Sequence, residues 1–159
     1  MSGEDFGKNF LMEFISVIEF INANAKFHSN MTYNHDRKSF NLEPYGDPTP
    51  GIYFILDIDD ILKIGKADGR SGLKGRVSTY RTRLVTRYKV GDPTVLLWEK
   101  IMTGELNGKT LKMYVLPLEP TYANFKGIEV EMLMARSLEY KLSKLASLEG
   151  HSMALSGQS

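Results

Sequence analysis

The stretch Gly51-Ile52-Tyr53-Phe54-Ile55-Leu56-Asp57-Ile58-Asp59-Asp60-Ile61-Leu62-Lys63-Ile64-Gly65-Lys66 decides how the rest of the chain is read. Its first half, through Ile58, is rich in β-branched and aromatic residues and predicts a strand. Asp59-Asp60 is a turn, and Ile61 to Lys66 is a second strand returning beside the first. In such a hairpin the loop sets the register, and a slip of one residue sends every side chain to the other face. A two-residue turn at Asp59-Asp60 pairs Ile58 with Ile61 and Tyr53 with Lys66, and leaves Lys63 on the face opposite Tyr53. A three-residue loop, Ile58-Asp59-Asp60, pairs Tyr53 with Gly65 and carries Lys63 to the face of Tyr53. The lysine that shares the face of Tyr53 is Lys66 in the first case and Lys63 in the second.

Towards the C-terminus, the polar loop Ala67 to Gly72 leads into a predicted helix from Leu73 to about Leu84. Arg76 and Tyr80 stand four residues apart on it, hence on one face. Asp92-Pro93 resembles an N-cap followed by a first-turn proline, which favours a helix over Val95 to Met102. Asn107-Gly108 is a turn, Thr110 to Leu118 a strand, and a long helix is expected from about Gly127 to Leu148. Stepped at roughly 100° per residue, that helix gathers Ile128, Met132, Ala135, Leu138 and Leu142 on one apolar face, with Glu131 inside the face and Glu129 outside it. A carboxylate aimed inward needs a cation or donors. A buried ion pair satisfies that need, and so does a divalent metal, since one carboxylate plus waters and phosphates is a common way to hold Mg²⁺.

Towards the N-terminus, Lys8 to Lys26 places Phe10, Leu11, Phe14, Ile15, Val17, Ile18 and Ile21 at helical spacing. From Phe27 to Pro50 the pattern dissolves into Asn, His, Asp and Pro, which predicts an irregular linker. The expected organisation is therefore a helix and linker over 1–50, a principal domain over 51–149 and a disordered tail over 150–159. The fold class is α/β (α+β): a small, mainly antiparallel sheet flanked by helices.

With 42% apolar and 25% charged residues the chain is globular in composition, and its net charge of +1 does not by itself point to a nucleic acid. The charge is unevenly spread. Lys63 to Lys89 holds nine Lys or Arg and one acid, Asp68, so the remainder is net acidic. Lys66, Arg70, Lys74, Arg81, Arg83 and Arg87, with Tyr80 and Tyr88 interleaved, are candidates for a phosphate-tracking groove. The absence of cysteine excludes a disulfide framework, a thiolate metal site and a cysteine nucleophile. No signal peptide and no run of membrane-spanning length is visible, so a cytoplasmic protein is expected.

Gly51-Ile52-Tyr53, then Lys63-Ile64-Gly65 about ten residues later, then a helix carrying Arg76 and a late Glu, resembles the GIY-YIG nuclease superfamily over roughly Gly51 to Leu145. The second motif departs from the usual pattern, with Lys63 where Tyr is common. Some restriction endonucleases of the superfamily are similar in that lysine, in an Arg-x-x-x-Tyr helix like Arg76 to Tyr80, and in a Pro-Thr-Tyr segment like Pro120-Thr121-Tyr122. The resemblance implies a metal-dependent endonuclease acting on DNA phosphodiester bonds. In it Glu131 holds one Mg²⁺ or Mn²⁺, Tyr53 acts as general base or orients water, Lys63 tunes Tyr53, Arg76 stabilises the phosphate, and Tyr80 bonds the phosphate or the water. A sequence-specific restriction-type homodimer is the reading favoured, with the N-terminal helix either at the dimer interface or packed on its own domain. A loosely specific phage or repair nickase and a catalytically inactive binding module are its rivals.

Overall fold

The computed structural model describes residues 16–82 and 93–156. Its elements are α1 (Val17–Asn24), β1 (Lys26–Asn34), β2 (Ser39–Asn41), β3 (Gly51–Asp57), β4 (Asp60–Ala67), α2 (Gly72–Arg81), α3 (Pro93–Thr103), β5 (Leu111–Pro117), β6 (Thr121–Phe125), β7 (Ile128–Met132) and α4 (Ala135–Leu148). Five strands form an antiparallel sheet in the order β2-β1-β5-β3-β4, and β6-β7 form a separate two-stranded sheet. This is the α+β architecture expected of the sequence. No helix among the described residues is long and apolar enough to cross a membrane.

Helices cover both faces of the large sheet, which explains why β3 is a nearly continuous apolar run rather than an alternating one. On one face Tyr53, Ile55, Met113 and Val115 pack with Leu73, Val77 and Tyr80 of α2 and with Trp98 and Met102 of α3. On the other, Ile52, Phe54 and Ile64 pack with Val17 and Ile21 of α1 and Ala135, Leu142 and Ala146 of α4. The described part of the N-terminal helix thus packs on its own domain. Ser16 caps it by accepting from Glu19 N at 3.1 Å, and Glu149 Oε1 accepts from Val17 N at 2.9 Å, placing a carboxylate at the positive end of α1.

The β3-β4 hairpin takes the register that brings Lys63 to the face of Tyr53. Tyr53 pairs with Gly65 and Ile55 with Lys63, yet Leu56 pairs with Ile61 and Asp57 with Asp60. Leu62 is the extra residue of a β-bulge. The tight turn is at Ile58-Asp59, with Ile58 at φ 54°, one residue earlier than expected. Because of the bulge, Leu62 joins the core of Tyr53 and Ile55, while its neighbours Ile61 and Ile64 join the opposite core.

Three expectations are corrected. The linker expected over 27–50 contains β1 and β2, and only the turn at 35–38 and the stretch 42–50 lie outside strands. The strand signal in β1 is weak because its inward positions hold Ser29 beside Met31, and the pairing with β5 shifts register between Phe27 and Ser29. The tail is docked as far as Ser156. Met153 N and Leu155 N donate to Ile61 O and Leu62 O at 3.0 and 2.9 Å, Trp98 Nε1 donates to Leu155 O at 2.8 Å, and Leu155 is fully buried. Third, the long helix expected from Gly127 begins only at Ala135. The segment before it is the β6-β7 hairpin, turning at Lys126-Gly127 with both φ angles positive (52° and 87°), the signature of a type I′ turn.

The docked tail gives a stability prediction. Leu155→Ala leaves a cavity in the core under Trp98 and should lower the unfolding free energy by about 2–4 kcal/mol. A urea titration checks this, and an unchanged midpoint would show that the tail does not hold its place.

Candidate active site

The outer edge of β4, covered at Ile61 and Leu62 by the docked tail, runs between the two helical layers, and a cavity of about 450 Å³ lies along it. Tyr53 of β3 and Lys63, Gly65 and Lys66 of β4 line its floor, Arg76 of α2 one side, and Glu139 and Lys144 of α4 the other. Met153 and Ser156 of the docked tail close one end.

Local structure fixes each side chain. The bulge at Leu62 aims Lys63 towards Tyr53, and its Nζ sits 5.8 Å from the centroid of the Trp98 ring, within cation-π range. Arg76 is carried by α2, whose first N–H groups would otherwise be unsatisfied. Leu73 N and Lys74 N donate to Thr49 O and Asp47 O at 3.0 and 3.1 Å, so the loop before β3 anchors the helix against the sheet. The buried Tyr53 hydroxyl lies 3.0 Å from that of Tyr80, with the rings edge to face. Tyr80 in turn stacks on Trp98 with centroids 4.8 Å apart and planes at 10°. Trp98 therefore backs both Tyr80 and Lys63.

Gly65 has a steric reason. A Cβ at that position would overlap the ring of Tyr53, which lies across the strand. Gly65→Ala should displace Tyr53 and destabilise the protein by about 1–3 kcal/mol, the usual cost of overpacking a tight interior. Thermal melting beside an activity assay checks it. Unchanged melting and activity would mean that the ring is free to move aside.

The electrostatics are those of an anion site with one acid in it. Lys63, Lys66, Arg76 and Lys144 face a single carboxylate, Glu139. Among the described residues, neither Glu139 nor any of these four cations has an ion-pair partner within 4.0 Å. Burial pushes the Lys63 ammonium below its ordinary pKa, Arg76 lowers it further, and Glu139 opposes both. Burial pushes the Glu139 carboxyl above its ordinary range, Lys66 and Lys63 pull it down, and Asp68 pushes it up.

Of the residues singled out in the sequence, Tyr53, Lys63, Lys66 and Arg76 come together at this cavity. Tyr80 is fully buried behind Tyr53 and does not line it. Glu131 is not brought in. It lies on β7, exposed and opposite Tyr122, because the segment alternates with a strand period and not a helical one. Arg70 and Lys74 are exposed on the loop and helix beside the site. Arg81 turns to a different cavity, where its Nε donates to Leu42 O at 2.9 Å. Arg83 and Arg87, with Tyr88 and Lys89, lie outside the described residues.

Glu139, Lys144 and Trp98 are the site residues that sequence reasoning missed. The signal for Glu139 was present. On a helix begun at Ala135, Glu139 falls within roughly 60° of the buried Ala135 and Leu142, so it borders the inward stripe. Among the described residues no group of three or more His, Asp or Glu gathers. A cage made wholly of protein ligands is thus not what this site offers. A half-buried carboxylate free of ion pairs among the described residues, set among cations that attract phosphate, fits a divalent cation shared between one protein ligand, water and a phosphate.

No protein-family model and no curated protein matches the chain. Solved structures that share its fold include two endonucleases. A glutamate-to-alanine mutant of bacteriophage T4 EndoII superposes with a TM-score of 0.61 at 16% identity, covering 81% of this chain and 93% of that one. Restriction endonuclease HPY188I in complex with product DNA superposes with a TM-score of 0.50 at 13% identity, covering 88% and 84%. At these identities the likeness establishes that the chain has the fold of these two endonucleases.

Proposed function

We propose that this protein is a metal-dependent endonuclease of the GIY-YIG type that hydrolyses DNA phosphodiester bonds. The observation that carries the reading is the cavity itself. Among the described residues, four cations without ion-pair partners surround one carboxylate and the edge of a buried tyrosine pair, and two solved structures of the same fold are endonucleases, one of them holding product DNA.

The residues divide the work as follows. Arg76, Lys66 and Lys144 draw in the phosphodiester and offset the charge that builds on the phosphorus oxygens in the transition state. Tyr53 presents its hydroxyl at the cavity floor, where it orients the attacking water and accepts its proton. Lys63, whose ammonium is pushed below its ordinary pKa by burial and by Arg76, stands beside Tyr53 to take the proton that Tyr53 gives up as it accepts one from the water. Tyr80 is a positioning residue: its hydroxyl fixes that of Tyr53, and Trp98 fixes Tyr80. Glu139 replaces Glu131 as the residue to hold Mg²⁺ or Mn²⁺, which when bound supplies Lewis-acid stabilisation of the phosphate and of the departing 3′-oxygen. The product complex of the restriction endonuclease neighbour favours a restriction-type, sequence-specific cutter within this class.

Incubation of plasmid DNA with the protein and Mg²⁺, beside an EDTA control, tests the reading. Discrete fragments that vanish with EDTA are expected. Random nicking with the same control would replace the sequence-specific reading by a loosely specific nickase. Intact plasmid across several metals and substrates would overturn the enzyme reading and leave a DNA-binding module.

A further inference from the structure

The β1-β2 ribbon forms the sheet edge opposite β4 and has two unlike faces. Tyr33 and Phe40 pair across it and turn to the core beneath α2 and α3. Asn30 and Thr32 alternate with Met31 and turn the other way. Asn41 lies opposite Thr32, and its Nδ2 donates to Thr32 Oγ1 at 3.3 Å. Asn30 and Asn41 are exposed on strands, where asparagine is disfavoured. With Thr32, Glu43, Arg37 and Arg81 they line a cavity of about 580 Å³, distinct from the candidate active site. Two guanidinium groups are built into it. Arg81 is held through Nε by Leu42 O, and Arg37 Nη2 donates to Arg81 O at 3.4 Å and to Ser39 Oγ at 3.3 Å. Each arginine spends only part of its five donors on these neutral oxygens. Among the described residues neither has a carboxylate within 4.0 Å, whereas Lys38 of the same turn is paired with Glu99 at 2.9 Å. Helix α2 links the cavity to the candidate active site, carrying Arg76 at one and Arg81 at the other. It packs across β4, β3 and β2, contains no acid, and shows Lys74, Ser78 and Arg81 on one exposed face. Its ten residues span about 15 Å, or roughly four to five base pairs of B-DNA.

We infer that this cavity reads DNA bases: Asn30, Asn41 and Glu43 meet base edges in the major groove, and Arg37 and Arg81 hold the flanking phosphates. The inference rests on the DNA-directed function proposed above and names the residues that give it sequence preference. The major groove admits a two-stranded β-ribbon. There an asparagine pairs with both N6 and N7 of adenine, and a carboxylate accepts from N4 of cytosine. Two neutral amides and an acid add nothing to the attraction of phosphate. Their place beside two guanidinium groups therefore suits a base edge next to its backbone, and not a backbone alone. The rigid link through α2 sets the bases read within about five base pairs of the phosphate held at Arg76.

Selection from a random-sequence duplex pool in EDTA, followed by sequencing, tests the inference without requiring cleavage. Wild type should enrich a short motif. Asn30→Ala and Asn41→Ala should each lose the preference at one or two positions of it, a drop of about 10- to 100-fold per position, with binding to random DNA unchanged. Arg37→Ala should instead weaken every sequence alike, lower the slope of log affinity against log salt by about one, and keep the motif. All three side chains are exposed, so the variants should keep the native circular dichroism spectrum. An unchanged motif in both asparagine variants, at full or reduced affinity, would overturn the inference, as would a wild type that binds DNA and enriches nothing. In either case plasmid cleavage with Mg²⁺ would leave the nuclease reading standing. A wild type that neither binds nor cuts DNA would overturn both.

Discussion

Glu139→Gln should abolish the proposed metal-dependent cleavage, with an expected loss of about 10³-fold or more, equivalent to ~4 kcal/mol of transition-state stabilisation. Glu131→Ala should leave cleavage within about two-fold of wild type, as expected of a surface position. The contrast follows from placement. Glu139 is the single carboxylate at the cavity, half-buried and free of ion pairs among the described residues. Glu131 sits on the polar face of an exposed hairpin. Gln keeps the shape of Glu139 and removes its charge, so a folded, DNA-binding and inactive variant is the expected product. Titration with Mn²⁺ should show weakened metal binding in Glu139→Gln and none of that loss in Glu131→Ala. Full activity of Glu139→Gln, or inactivity of Glu131→Ala with an intact fold, would move the metal away from α4.

The second large effect is at Arg76. Arg76→Ala should reduce cleavage by about 10²–10³-fold, the usual result of removing one preorganised charge from a developing oxyanion. Arg76→Lys should recover only part of it, because an ammonium lacks the planar fork that grips two phosphate oxygens. A further readout separates this from general damage. Arg76 lowers the Lys63 pKa, so its removal should raise that pKa, observable in the carbon resonances of the Lys63 side chain. A Lys63 resonance that titrates unchanged in Arg76→Ala would place the two groups too far apart to act as one site.

The hairpin Gly51 to Lys66 shows how far local pattern reaches. Its two strands are explicit in their β-branched residues, and placing Lys63 on the face of Tyr53 already called for a register other than that of a two-residue turn at Asp59-Asp60. Where the bulge falls was not legible. Leu62 is the extra residue because both helical layers need filling, and two successive apolar residues, Ile61 and Leu62, serve opposite cores. The glycine of Lys63-Ile64-Gly65 was visible as a motif, but its reason, the Tyr53 ring lying over it, exists only once the strands are paired.

The misplacement of Glu131 has an instructive cause. Ile128, Met132, Ala135, Leu138 and Leu142 fit a helical stripe, but Ile128, Val130 and Met132 also fit a strand with Glu129 and Glu131 between them. Short apolar runs admit both periods. The positive-φ turn at Lys126-Gly127 resolves the choice for the strand, and the helix then starts at Ala135.

What the sequence determined by itself is the β3-β4 hairpin, the helix bearing Arg76 and the α+β class, because these rest on periodicities and turn residues within a few positions of one another. What only the tertiary structure decided is which acid meets the lysines, what supports them from behind, and which segments join the sheet. Glu139, Trp98 and Tyr80 come from three helices separated by many residues. β1 is a strand chiefly through its pairing with β2 and β5, and the tail is ordered by the edge of β4 and the indole of Trp98. Those are long-range contacts, whose energy appears only when distant parts of the chain have already come together.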